Sequence, residues 1–183
     1  MKKVLVPLAD GFEEIEAATI IDVLRRADLS VTVSGISGKS QSGAHGLVFG
    51  CDKTLDEALQ DSYDALVLPG GQPGVDNLKA DSKVIALVQK MKAEAKLIGA
   101  ICAAPVVLGE AGVIANLKFT CYPSFETSIR DAHYEQTSVV VDGPIITSRG
   151  PGTAMTFALT LVEILCGKKV ADGLSQGMIV ASS

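Results

Sequence analysis

Cys102 stands where an aliphatic run gives way to a helical pattern, in the segment GAICAAP at residues 99–105. Two small alanines follow the cysteine, and Pro105 suits the first turn of a helix. A nucleophile at such a sharp turn projects from the edge of a sheet, and the dipole of the following helix favours its thiolate. The segment therefore predicts an exposed, reactive thiol with a lowered pKa. A buried structural cysteine is the alternative, and the spacing alone leaves both interpretations open.

A glycine-rich loop, PGGQPG at residues 69–74, follows another aliphatic run. Adjacent Gly70 and Gly71 allow backbone N–H groups to face a ligand with no side chain in the way. If the loop lies beside Cys102, those N–H groups can stabilise an oxyanion. An ordinary glycine-proline loop is the alternative. A phosphate-binding P-loop is excluded because no Gly-Lys-Ser/Thr follows.

Three acids open a predicted helix at residues 13–27. At about 100° per residue, the apolar residues of this helix gather on one face. Glu14 falls at the edge of that face, whereas Glu13 and Glu16 fall within it. First-turn acids complement the helix dipole, which accounts for Glu13 and Glu14 but less well for Glu16, one turn further in. A carboxyl on a buried face keeps its proton to a higher pH, so Glu16 is the predicted hydrogen-bond donor to a thiolate.

The two histidines carry the alternative to this arrangement. His45 lies in a segment rich in serine and glycine, and His133 precedes a predicted hairpin. A dyad of Cys102 with His133 as base would favour protease-like chemistry.

The four cysteines, at positions 51, 102, 121 and 166, form no Cys-x-x-Cys pair and have no histidine at metal-ligand spacing. The sequence therefore predicts no metal site.

The predicted strands and helices alternate along the chain. Cys102, the glycine loop and Glu16 each follow the carboxyl end of a predicted strand. The predicted strands are 4–8, 31–33, 47–51, 65–68, 97–101, 118–121, 139–141 and 145–147. The predicted helices are 13–27, 55–59, 82–96, 103–111, 153–165 and 169–174. Continuous aliphatic strands separated by helices favour a doubly wound α/β fold, a mostly parallel sheet with helices on both faces. Asp142-Gly143 adds an antiparallel hairpin, and ligands of such folds bind at the carboxyl edge of the sheet.

Composition narrows the class of protein further. The chain has 183 residues, of which 48% are hydrophobic and 4% aromatic. This excludes a disordered chain and a small disulfide scaffold, and it predicts one domain spanning residues 1–183. The net charge of −5 without a basic stripe excludes nucleic-acid binding through a basic patch. No apolar run approaches the ~18 residues of a membrane span, so we expect a cytoplasmic protein with no membrane partner.

The motifs together resemble the ThiJ/PfpI superfamily, specifically the branch of the Parkinsonism-associated protein deglycase and its bacterial homologues. The resemblance covers nearly the whole chain. The residues that carry it are GFEEIE at 11–16, 64–71 with its terminal PGG, AICAAP at 100–105 and TSRGPGT at 147–153. It implies a flavodoxin-like fold, a homodimer and no cofactor.

Site residues follow from the resemblance by position. Cys102 matches the reactive, oxidisable cysteine of the family, and Glu16 matches the protonated glutamate that hydrogen-bonds it. Gly71 and Ala103 match the backbone donors around the thiolate. Pro151 matches part of the pocket rim, and we place Gly70 and Tyr122 in the same pocket.

Two departures from the family pattern bear on activity. The protease-like branch has histidine directly after the nucleophile, whereas this chain has Ala103, which argues against a peptidase. The deglycase branch often carries a histidine in the segment matching 120–123. Here Tyr122 takes that place and supplies either a proton or only a hydrogen bond.

Two functions of different classes follow from these residues. The first is a protein deglycase, which is a hydrolase, or a cofactor-independent glyoxalase. Either would act on methylglyoxal, glyoxal and their early adducts with amines and thiols, through the Cys102 thiolate with Glu16 as proton relay. The second is an oxidative-stress sensor or redox-regulated chaperone, which works through oxidation of Cys102 to sulfinic acid. Both use the same thiol.

Overall fold

A seven-stranded, mostly parallel sheet forms the centre of the computed structural model, which describes residues 1–181. The strands are β1 Lys3–Leu8, β2 Ser30–Gly35, β3 Ser40–Ser42, β4 Val48–Gly50, β5 Lys53–Thr54, β6 Ala65–Leu68, β7 Leu97–Ile101, β8 Lys118–Phe119, β9 His133–Tyr134, β10 Val139–Asp142 and β11 Ile145–Ser148. The helices are α1 Glu14–Arg26, α2 Leu55–Ala58, α3 Gly74–Ala80, α4 Ser82–Ala93, α5 Pro105–Glu110, α6 Ala154–Cys166 and α7 Lys168–Gly177.

The central sheet has the strand order β10-β11-β7-β6-β1-β2-β5. All neighbours run parallel except β10 and β11, which form the antiparallel hairpin around Gly143. Strands β3 and β4 form a separate hairpin, and β8 pairs with β9. The predicted doubly wound α/β fold with an added hairpin is confirmed.

Apolar side chains of the sheet pack against helices on both faces. On one face α1, α6 and α7 cover the outward residues of β1, with Ile20 and Phe157 fully buried. On the other face α2 to α5 cover residues such as Leu66 and Ile98. Because both faces are covered, the inner strands are aliphatic at every position instead of alternating with polar residues. In β1, β6 and β7 the consecutive aliphatic residues of the sequence are accordingly buried one after another.

The structure departs from the predicted elements mainly in short pieces. Helix α3, Gly74–Ala80, has no counterpart among the predicted helices, because it begins at the glycine of a Pro-Gly pair that is typical of turns. Strands β3, β5 and β9 were also missed, since two or three residues carry no readable period. The helix predicted at 103–111 begins two residues later, at Pro105.

The one-domain assignment to residues 1–183 stays a prediction, and its last two residues lie outside the described range. Within residues 1–181 no helix is both long enough and apolar enough to cross a membrane.

Candidate active site around Cys102

Three strand exits meet at one edge of the sheet. Strands β7, β6 and β1 are consecutive neighbours and parallel, so their carboxyl ends lie side by side. Cys102 follows β7, the loop containing Gly70 and Gly71 follows β6, and α1 with Glu16 follows β1. The order of strands thus brings together the three segments that the sequence singled out.

The backbone at Cys102 is a sharp turn in an unfavourable conformation. Its φ is +64°, in the left-handed region that costs a residue with a side chain roughly 1–3 kcal/mol. Two hydrogen bonds hold it there: Cys102 N–H donates to the Ser148 carbonyl at 2.9 Å, and Tyr122 N–H donates to the Cys102 carbonyl at 2.9 Å. Strand β11 and the segment after β8 therefore fix the turn that the sequence predicts.

The prediction of an exposed thiol with a lowered pKa is wrong. Cys102 is only 9% exposed. Burial raises the pKa of its thiol, and the neighbouring Glu16 carboxyl raises it further, whereas the backbone N–H groups of Ala103 and Gly71 act in the opposite direction. Helix α5 starts three residues further on, at Pro105, so its dipole reaches the sulfur less directly than the pattern implied.

Glu16 is fully buried, as its place on the apolar helix face predicts. One carboxyl oxygen, Oε2, accepts a hydrogen bond from Gly70 N–H at 2.7 Å. Among the described residues the other oxygen, Oε1, has no hydrogen-bond partner. Burial raises the pKa of Glu16 to about 7, although the Gly70 N–H and the Cys102 side chain both act to lower it. Below about pH 7 the protonated, uncharged carboxyl is therefore the favoured state.

Glu16 and Cys102 behave as one coupled pair. Glu16 raises the pKa of the Cys102 thiol, whereas the Cys102 side chain lowers the pKa of Glu16. Because both groups are buried, the pair carries at most one negative charge near pH 7. When the remaining proton lies on Glu16, the charge lies on sulfur. The N–H groups of Gly71 and Ala103 face the sulfur and stabilise that charge. The raised pKa of the thiol makes this the minor form of the pair, and in it a thiolate lies beside a proton donor.

The glycine loop has no room for side chains. A Cβ at Gly70 would lie 2.5 Å from the Cys102 Cβ and 2.8 Å from Glu16 Oε2. Gly71 has a φ of +98°, which side chains rarely allow. The two glycines thus let the backbone approach both reactive groups closely.

Tyr122 contacts the cysteine turn through its backbone N–H, which donates to the Cys102 carbonyl, and the residue is 47% exposed. A Cβ at Gly150 would lie 3.2 Å from the Tyr122 ring, and Pro151 follows Gly150 at the start of a short 3-10 helix, Pro151–Thr153. The place of Pro151 on the pocket rim stays a prediction.

The histidine alternative finds no support in the geometry. His133 is exposed on β9, where its neighbour across the ladder is Lys118, and among the described residues it makes no hydrogen bond with Cys102. Its backbone N–H donates instead to the Leu117 carbonyl.

Glu13, Glu14 and His45 bring three possible metal-ligand atoms within 4.8 Å of one another. Hydrogen bonds from the loop of His45 to Glu14 account for this cluster without an ion. Nothing in the sequence pattern indicates that Glu14 contacts this loop, because first-turn acids are ordinary at helix starts.

Comparison with known proteins decides the family. The model of the DJ-1/PfpI family matches residues 2–164. The chain belongs to the DJ-1/PfpI family. The resemblance to the ThiJ/PfpI superfamily is thereby confirmed.

Several relatives within the DJ-1/PfpI family cover almost the whole chain. Protein dj-1beta of Drosophila melanogaster is 39% identical, covering 98% of each protein. Protein DJ-1 homolog B of Arabidopsis thaliana is 39% identical over 97% of the chain, which spans 41% of that longer protein. The glutathione-independent glyoxalase DJR-1.2 of Caenorhabditis elegans is 34% identical, over 97% of this chain and 95% of that protein.

Solved structures of the family match the fold closely. The crystal structure of Drosophila melanogaster DJ-1beta has a TM-score of 0.95 at 40% identity, covering 99% of each chain. The oxidized DJ-1 of Toxoplasma gondii has a TM-score of 0.96 at 35% identity, covering 100% of each chain.

The raised pKa of Glu16 makes stability depend on pH. Between the ordinary pKa of 4.5 and about 7, the unfolded chain loses this proton while the folded chain keeps it, so stability falls as pH rises. We expect Glu16→Gln to abolish this fall in stability, because glutamine does not ionise. The stability of the variant relative to the wild type should rise by on the order of 3 kcal/mol from pH 4.5 to above pH 7, measured by urea unfolding.

The control for this measurement is Glu110→Gln, at an exposed glutamate of α5. This control should follow the wild-type pH dependence. Parallel curves for Glu16→Gln and the wild type would show that Glu16 ionises freely in the folded protein.

Proposed function

We propose that the protein is a cysteine-dependent glyoxalase-type enzyme that acts on methylglyoxal and glyoxal. The observation that carries this proposal is the pairing of the Cys102 sulfur with the buried carboxyl of Glu16, whose Oε1 lacks a partner among the described residues. The name of the Caenorhabditis elegans relative, a glutathione-independent glyoxalase, supports the choice of reaction. Substrates of this kind are small, reactive aldehydes that a thiolate attacks readily.

The first step is attack of the Cys102 thiolate on the aldehyde carbon. A C–S bond forms, the π electrons of the carbonyl move to its oxygen, and that oxygen takes the proton of Glu16. The N–H groups of Gly71 and Ala103 face the sulfur, and in this proposed step they donate to the developing oxyanion. The product of this step is a hemithioacetal bound to Cys102, and Glu16 is now a carboxylate.

The second step moves a proton within the bound substrate. The Glu16 carboxylate removes the hydrogen from the former aldehyde carbon and returns it to the neighbouring carbon, through an enediol. This converts the hemithioacetal into a thioester of lactate. Water then hydrolyses the thioester, which releases lactate and restores the Cys102 thiol. Net, one water is added to methylglyoxal, and no external redox cofactor takes part.

The same site would also support protein deglycase activity, in which the substrate is an adduct and not the free aldehyde. An early adduct of methylglyoxal with an amine or thiol carries the same carbon at the aldehyde oxidation level. Attack of Cys102 on that carbon, with loss of the amine or thiol, leads to the same bound hemithioacetal. The products are then lactate and the repaired amine or thiol. In glyoxal chemistry, glycolate takes the place of lactate.

Redox sensing is a second candidate with its own supporting observation. The Toxoplasma gondii relative with the same fold is described as oxidized. In this chain a protonated Glu16 beside Cys102 is able to donate a hydrogen bond to a sulfinate oxygen. A redox-regulated chaperone is the corresponding function of the oxidised protein.

We also propose that the protein acts as a homodimer in the cytoplasm. Large apolar side chains are exposed next to the start of α1: Ile15 on the helix itself, and Leu47 and Val48 on the β3–β4 hairpin. Glu14 binds the backbone of Leu47, so these residues lie close together. A second copy of the chain is an occupant that would cover such a surface.

Loss of the thiol should abolish turnover. We expect Cys102→Ser to convert methylglyoxal to lactate no faster than buffer alone, because a serine hydroxyl is not ionised at this site. Lactate release is measured enzymatically over time. The matched control is Cys166→Ser, at a half-buried cysteine near the Ala27 carbonyl, which should keep the wild-type rate. Equal rates for Cys102→Ser and the wild type would remove Cys102 from the mechanism.

Mild hydrogen peroxide should oxidise Cys102 first. Two equivalents of peroxide convert the thiol to a sulfinic acid and are reduced to water, adding two oxygens to the peptide. Within residues 1–181, Cys102 is the one cysteine that has both a carboxyl and two backbone N–H groups acting on its sulfur. Peptide mass spectrometry locates the modification. Earlier oxidation at one of the three other positions, Cys51, Cys121 and Cys166, would rule out the sensor function.

A charge on the exposed apolar surface should separate the dimer. We expect Val48→Lys to sediment as a monomer at micromolar concentration, because a buried lysine at the contact is unfavourable. The control Val141→Lys changes a valine of the edge strand β10 that is 51% exposed, and it should remain dimeric. A wild type that sediments as a monomer would contradict the homodimer.

A further inference from the structure

Glu14 is a buried carboxylate that holds a loop rather than a ligand. Its side chain is 5% exposed. One oxygen accepts hydrogen bonds from the backbone N–H of His45 at 2.6 Å and of Leu47 at 3.3 Å, and the other lies 3.0 Å from His45 Nδ1. Burial by itself raises the pKa of Glu14, but these bonds outweigh it and lower the pKa. The group is therefore ionised at neutral pH.

The loop that Glu14 holds is the turn of the β3–β4 hairpin. Gly43, in that turn, lies so close that a Cβ there would overlap the Glu14 carboxyl. Backbone bonds continue the contact: Gly11 N–H donates to the Ser42 carbonyl at 2.7 Å, and Ala44 N–H donates to the Phe12 carbonyl at 2.8 Å. The hairpin turn is thus joined to the segment between β1 and α1 through an isolated parallel bridge, Phe12 with Gly43.

The same segment holds the glycine loop of the site from its other side. Glu13 N–H donates to the Gly70 carbonyl at 2.8 Å, and Gly74 N–H donates to the Gly11 carbonyl at 3.2 Å. A Cβ at Gly71 would overlap the backbone of residues 11–13. The position of the Gly70 and Gly71 N–H groups is therefore set by a segment that is itself clamped between the loop and the hairpin.

We propose that Glu14 is a positioning residue for Cys102. Its carboxylate fixes the hairpin turn, the hairpin fixes residues 11–13, and these fix the N–H groups that Gly70 gives to Glu16 and Gly71 gives to the sulfur. The effect on catalysis rests on the proposed glyoxalase function. The effect on the reactivity of the Cys102 thiol does not.

The test compares Glu14→Ala with Glu14→Gln. Alanine removes every acceptor, so the Gly71 N–H should be less firmly placed at the sulfur. We expect kcat for methylglyoxal to fall roughly 10-fold with KM little changed, since small displacements of catalytic groups have effects of this size or larger. The rate at which iodoacetamide alkylates Cys102 at pH 7 should fall by a similar factor, and its pH profile should move to higher pH.

The glutamine variant should recover most of the kcat and of the alkylation rate that the alanine variant loses. Its amide oxygen accepts from the two backbone N–H groups, and its amide nitrogen donates to neutral His45 Nδ1. The control for general destabilisation is Glu57→Ala. It removes a carboxylate that caps α2 and pairs with Lys39, and it should lower thermal stability without changing the alkylation profile.

Two results would overturn the proposal. One is a Glu14→Ala protein that melts at lower temperature but alkylates with the wild-type pH profile, which is the behaviour of a purely structural residue. The other is a Glu14→Gln protein as impaired as Glu14→Ala. If the alanine variant does not fold, Gly43→Ala disturbs the same contact from the hairpin side, and the same two readouts apply. A wild type that does not turn over methylglyoxal would refute the glyoxalase function only, because alkylation still tests the role of Glu14.

Discussion

The buried carboxyl of Glu16 is the constraint on which the carboxyl edge of the sheet depends. A fully buried carboxyl is costly as an anion and needs hydrogen-bond partners in either state. Gly70 supplies one N–H to Oε2 at 2.7 Å, and the Cys102 side chain also acts on the carboxyl. Meeting both needs requires the backbone after β6 to pass between α1 and the turn after β7, which leaves no space for a Cβ at Gly70. The position of one acid thus dictates the residue types around it.

Much of this site was readable from the sequence, because its parts depend on local patterns. The aliphatic runs placed β1, β6 and β7 correctly, and the rule that ligands bind at the carboxyl ends of parallel strands pointed to the right edge. Helical periodicity placed both Glu13 and Glu16 on the apolar face, and the family resemblance selected Glu16. The PGG and AICAAP segments were recognisable because glycine and alanine are needed where the backbone comes close to a reactive group.

Other features could not be read because they depend on contacts between distant segments. The burial of Cys102, and with it the raised pKa of the thiol, follows from residues of four different segments that surround it. Helix α3 starts at Gly74, the second residue of a Pro-Gly pair that normally signals a turn, so tertiary packing decides its conformation. Glu14 looked like any acid in the first turn of a helix. Its partners, His45 and Leu47, lie some thirty positions away and carry no pattern of their own.

The left-handed backbone at Cys102 has a meaning for how this position tolerates change. The φ of +64° is comfortable for glycine and strained for every residue with a branched or bulky side chain. A glycine would relieve the strain and keep the turn, but it would remove the thiol, so folding stability and thiol chemistry favour different residues at this position. The turn thus separates two demands that usually coincide, folding well and keeping a function.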